Sequence, residues 1–103
     1  MIKVSVFYPN NAGSKFDIDY YCNTHLPFVG GLLGDALKGG AVDGGLAGGA
    51  PGEAPMFIAI GHMLFDNVED FEKSFGPNAE EIMADLANFT DITPQIQISE
   101  VKI

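Results

Sequence analysis

Two short runs carry the residues best suited to proton chemistry. The first is Tyr20-Tyr21-Cys22-Asn23-Thr24-His25-Leu26-Pro27. Tyr21 and His25 are four apart, so on a helix they share a face one turn from each other. A histidine bordering an apolar pocket takes or gives a proton near neutral pH, which makes His25 a candidate acid or base. It also has a structural reading, with its ring bonded to a backbone group. The second run is Asn88-Phe89-Thr90-Asp91-Ile92-Thr93-Pro94. Thr90 and Asp91 have a turn reading, because both side chains bond nearby amides and Pro94 stiffens the entry to a strand. In the functional reading, Asp91 orients His25 or polarises a substrate at a pocket rim. Tyr20, Tyr21, Thr90 and His62 would complete the polar inventory of such a pocket. His62 interrupts an apolar run, where a core or interface histidine and a pocket histidine fit the pattern equally; an interior ring there must be hydrogen-bonded.

Other chemistries find little support. No two glycines stand two residues apart, so there is no G-x-G-x-x-G, and no G-x-x-x-x-G-K occurs either. A nucleophile elbow, G-x-S-x-G, is also missing. No cofactor is therefore expected. His25 and His62 lie on different elements without H-x-x-x-H or C-x-x-C spacing, so no metal site is expected. Cys22 falls among apolar helix positions and reads as a buried, inert thiol. The acid-rich stretch from Asp66 to Asp85 reads as a solvated helix face.

Composition narrows the ligands. The 103 residues include 5 lysines, no arginine and 14 carboxylates, for a formal charge of −9. Nucleic acid demands a basic footprint that this chain lacks. Without arginine there is no bidentate fork for phosphate or carboxylate. A neutral, small apolar molecule is the expected ligand. No apolar run reaches the ~18–20 residues of a membrane span. A single cysteine and an N-terminus without a signal-peptide layout suit the cytoplasm.

The elements that must position these residues follow from periodicity. Ile2 to Tyr8 alternates as a strand, with Ile2, Val4, Val6 and Tyr8 on one face. Asp17 opens a helix carrying Ile18, Cys22, Val29 and Leu33; Pro27 predicts a break or kink near His25 and Leu26. Lys38 to Ala47 is a glycine-rich edge strand. Met56 to Phe65 is a strand apolar on both faces, with Phe57, Ala59, Met63 and Phe65 opposite Ile58, Ile60 and Leu64. Asp66 with Glu69 predicts a capping box for a helix through Phe75. Pro77 begins another helix with Ile82, Met83, Leu86 and Phe89 on one side. Gln95 to Ile103 is the last strand. The order βαββαβ is the α+β, ferredoxin-like pattern with a four-stranded antiparallel sheet, its first and third strands central. Two helices cover only one face of such a sheet, so the other calls for a second copy of the chain: a homodimer.

These runs, with Lys3-Val4-Ser5-Val6, Tyr8-Pro9, Leu46-Ala47-Gly48-Gly49, Ala59-Ile60-Gly61-His62 and Gln97-Ile98-Ser99-Glu100-Val101, resemble the EthD (ethyl tert-butyl ether degradation) family of the dimeric α/β-barrel superfamily. Phe89 stands where the resemblance leads one to expect a tyrosine. The resemblance implies one EthD-like domain over residues 1–103, pairing through its sheet into a dimeric α/β barrel. It also implies a place in xenobiotic or small-hydrophobic metabolism, in a superfamily that includes cofactor-free monooxygenases and lactone isomerases. Two functions follow. One is a cofactor-free oxidoreductase or isomerase using His25 with Asp91. The other is a non-catalytic dimeric carrier of an apolar ligand for an oxygenase pathway.

Overall fold

The computed structural model describes all residues, 1–103. Strand β1 (Ile2–Pro9) lies at the centre of a four-stranded antiparallel sheet between β3 (Phe57–Phe65) and β4 (Gln95–Glu100), and β2 (Gly39–Gly44) takes the edge beyond β3. The two most apolar strands are therefore the two inner ones, as their patterning predicts. Helical segments α1 (Ile18–Tyr20), a π-helical turn (Tyr21–His25), α2 (Leu26–Leu33), α3 (Val68–Phe75) and α4 (Ala79–Asp85) connect them. The architecture is α+β and ferredoxin-like.

One face of the sheet buries its alternate residues under the helices. Val4 and Phe65 pack with Val29 and Leu33 of α2 and Ile82 of α4. Towards the other end, Tyr8 and Ala59 pack with Tyr21, Phe89 and Ile92. The outer face carries Ser5, Phe7, Ile60, His62 and Leu64 by strand alternation. An irregularity in the β1–β3 pairing at Tyr8 and Pro9 inverts the end of β3 relative to strict alternation. Phe57 meets Phe7 on the outer face, ring centroids 5.1 Å apart, while Ile58 packs against the helix-side cluster.

Three local expectations are corrected. Pro27 does not break the helix: Leu26 keeps helical angles, φ −66° and ψ −41°. Its amide instead reaches the Tyr21 carbonyl, five residues back. That wider turn gives the proline ring room beside the carbonyls it would crowd in an α-helix, and π turns of this kind concentrate at functional sites. The cap of α3 is Asn67, whose side chain accepts the Asp70 amide at 2.8 Å, and not Asp66. Cys22 is exposed because it lies on the solvent side of the π turn. By contrast, Asp17 caps α1 as expected, accepting the Tyr20 amide at 3.1 Å. No helix is long and apolar enough to cross a membrane.

Candidate functional site

His25 is buried, at 4% exposure, at the end of the π turn. Its Nδ1 lies 2.8 Å from Oδ2 of Asp85, the last residue of α4. The other oxygen of Asp85 accepts from the Tyr20 hydroxyl and from Asn88 Nδ2, each at 2.8 Å. A carboxylate can only accept here, so the proton of a neutral His25 resides on Nδ1 and Nε2 is the basic nitrogen. Nε2 has no hydrogen-bond partner within the protein, and His25 is one of the residues that line the adjoining cleft.

The charges agree with this network. Partial burial tends to raise the Asp85 carboxyl, but hydrogen bonds from His25, Asn88 and Tyr20 overcome that and hold it below its ordinary 3.8. The hydrogen bond to Asp85 in turn raises the Tyr20 phenol. Asp85 thus remains an anion near neutral pH and orients the imidazole through Nδ1.

The cleft runs between the helices and β1, β3 and β4, with a cavity volume of about 70 Å³. Val6, Leu26, Met63, Ile82 and Leu86 give it an apolar wall. Tyr21 lies nearly parallel to the His25 ring, centroids 5.7 Å apart and planes at 18°. Burial pushes the Tyr8 phenol up to about 12, and burial together with Tyr8 pushes Tyr21 upward as well. Both phenols therefore stay neutral near pH 7. Gly61 is required where it stands, because a methyl group there would overlap the Tyr21 hydroxyl. Phe89 packs against His25 at a centroid distance of 4.7 Å and against Tyr20 at 5.9 Å, so this position works as an apolar support for the histidine.

The sequence-predicted residues separate into two groups. Tyr20, Tyr21 and His25 converge on one site. Asp91 does not join them: Oδ1 accepts the Lys15 amide at 2.8 Å and the residue is exposed. Thr90 is buried, accepting the Ile92 amide at 3.0 Å and donating to the Lys15 carbonyl at 2.6 Å. Together they tie the segment before α1 to the approach to β4. His62 lines the cleft through its backbone, while its ring turns to the outer face. There Nδ1 lies 3.3 Å from Ser5 Oγ and Nε2 lies 2.8 Å from Asp43 Oδ2. The orienting carboxylate is Asp85, a residue that the charge pattern assigned to a solvated helix face. The signal for it was present: Asp85 lies three residues after Ile82 and one before Leu86, inside the apolar stripe of its helix. Nowhere do three His, Cys, Asp or Glu side chains gather around one point suited to a metal ion.

Comparison with known proteins gives a consistent result. The EthD domain family matches residues 13–93. A crystal structure of an EthD-like protein from Ralstonia eutropha JMP134 is 44% identical, with a TM-score of 0.96 over 99% of this chain and 92% of that one. An ethyl tert-butyl ether degradation (EthD) family protein from Bacillus halodurans C-125 is 20% identical, with a TM-score of 0.74 over 98% of both chains. A dimeric protein of unknown function and ferredoxin-like fold from Bacteroides fragilis is 14% identical, with a TM-score of 0.54 over 97% of this chain and 95% of that one. Among curated proteins, no sequence matches.

Proposed function

From the premise that the chain belongs to the EthD family, we propose that its cleft binds a small, uncharged, apolar molecule on which His25 acts as acid or base. The observation that carries this reading is His25 in the wall of an apolar cleft, its Nδ1 fixed by Asp85 at 2.8 Å and its Nε2 left without a protein partner. A weakly acidic C–H or O–H placed against Nε2 transfers its proton to the imidazole, and the Asp85 carboxylate stabilises the imidazolium. Such a step begins isomerisation, and it also prepares an enol or phenol for oxygenation. Isomerase-type and oxidoreductase-type chemistry in the metabolism of hydrophobic compounds therefore both follow from it, with no cofactor required for the proton step itself.

The uncovered sheet face supports a homodimer. Phe7, Phe57, Ile60 and Leu64 lie on the side without helices, and the Bacteroides fragilis relative is a dimer. A carrier that holds the same molecule without changing it is the second reading, favoured because the cleft wall is almost wholly apolar.

Butan-2-one, small and enolisable, distinguishes the readings when proton–deuterium exchange at its α-carbon is followed by NMR in D2O. Base catalysis predicts accelerated exchange that falls roughly 100-fold or more in His25→Gln, the range of general-base effects. A smaller loss is expected in Asp85→Asn, with far-UV circular dichroism confirming that both variants fold. Binding without exchange identifies a carrier; absence of binding overturns both readings.

A further inference from the structure

A second apolar chamber, open to solvent on the side of the exposed Cys22, Pro27, Gly40 and Ala41, adjoins the cleft. It lies between α2 and the edge strand β2, with a cavity volume of about 320 Å³. Leu26, Val29 and Met63, together with the His62 backbone, line both spaces, so one layer of side chains stands between them. The chamber exists because β2 has no side chain to fill it at Gly40. That residue pairs with Met63 and faces the helices, and a Cβ placed there meets only the His62 carbonyl oxygen, at 3.6 Å. Leu37, Val42 and Pro27 complete the apolar lining, and the exposed Cys22 stands at its rim. No charged side chain borders the chamber.

The sizes make the two spaces complementary. At about 70 Å³ the cleft is under half of the ~150 Å³ apolar cavity that admits benzene, so it suits only a few heavy atoms beside His25. We propose that the chamber between α2 and Gly40 is a second subsite continuing the His25 cleft, and that the ligand is an elongated neutral molecule. Its polar or reactive end lies at His25 and its apolar tail lies in the chamber. Met63 is the residue best suited to yield between them, being unbranched with three rotatable bonds. A charged tail is disfavoured because nothing in the lining would pair with it. This inference rests on the reading of the cleft as a ligand site.

Straight-chain primary alcohols test it, since their hydroxyl can donate to Nε2 and only their length varies. In titrations of the 15N-labelled protein, butan-1-ol reports on the cleft, and hexan-1-ol and octan-1-ol report on its continuation. Affinity is expected to rise about fourfold per methylene that enters the chamber, from ~0.8 kcal/mol per buried CH2. Octan-1-ol, but not butan-1-ol, is expected to shift the amides of Cys22 and Gly40. In Gly40→Leu, the ratio of octan-1-ol to butan-1-ol affinity should fall at least tenfold. Alkylation of Cys22 by iodoacetamide in the wild-type protein provides a readout free of mutation, and octan-1-ol should slow it where butan-1-ol does not. Perturbation at His25 by butan-1-ol with no gain from added length overturns the chamber alone, as does a Gly40→Leu ratio equal to wild type. Failure of butan-1-ol to perturb His25 overturns the cleft reading instead.

Discussion

The orientation of the His25 ring depends on a carboxylate 60 residues away in the chain. Half of this arrangement was legible in the sequence. Tyr21 and His25 share a helical face by spacing alone, whereas Asp85 is one acid among many in an acidic stretch and gains its meaning from α4 packing beside the π turn. Asp91 misled because a turn carboxylate looks alike whether it meets a side chain or an amide. The aromatic residues around His25 make their own measurable contribution. With the Tyr8 phenol raised from 10.0 to about 12, its neutral form is favoured in the folded protein. The associated stability is complete below pH 10 and is lost as pH rises from 10 towards about 12. It amounts to on the order of 3 kcal/mol from Tyr8, with Tyr21 adding in the same direction. Urea unfolding at pH 8 and at pH 11 should show this alkaline decline, and Tyr8→Phe should reduce it.

At the scale of elements, periodic patterns located β1, β3, β4 and the helices, β2 was placed in a glycine-rich, weakly patterned segment, and the errors occurred where capping and backbone geometry decide the outcome. Pro27 predicts a break in a regular α-helix, but a π turn lets the chain pass while Leu26 keeps a hydrogen-bond acceptor. Periodicity carries no sign of this, since residues four apart share a face in both kinds of helix. Asp66 and Asn67 are both able to cap, and only the backbone direction selects between them. Asn67 has the extended angles of a cap, φ −156° and ψ 171°. Asn67→Ala should therefore lower stability by about 1 kcal/mol in urea denaturation, while Asp66→Ala should remain within about 0.5 kcal/mol of wild type. Equal losses in the two variants would contradict the assignment of the cap.

For the molecule as a whole, the sheet separates two environments. Its helix side forms the core and the cleft, and its outer side mixes Phe7, Phe57, Ile60 and Leu64 with the Ser5–His62–Asp43 chain of hydrogen bonds. The need to cover both faces was readable from β3, whose residues are apolar on each side. If a second copy packs on this face, Ile60→Lys places a charge in the interface and should give a monomer in sedimentation velocity, with the far-UV spectrum retained. A wild-type protein that sediments as a monomer would remove the dimer from the proposal.

The position of β1 in the sheet has a consequence for how the protein is made. β1 is synthesised before its partners but pairs with Phe57–Phe65 on one side and Gln95–Glu100 on the other. At about 5–20 residues per second, translation keeps β1 waiting several seconds for each partner. During that interval its apolar residues and both of its edges are unpaired, and only long chain closures can satisfy them. An inner strand of the folded sheet is thus the one left longest without its partners during synthesis.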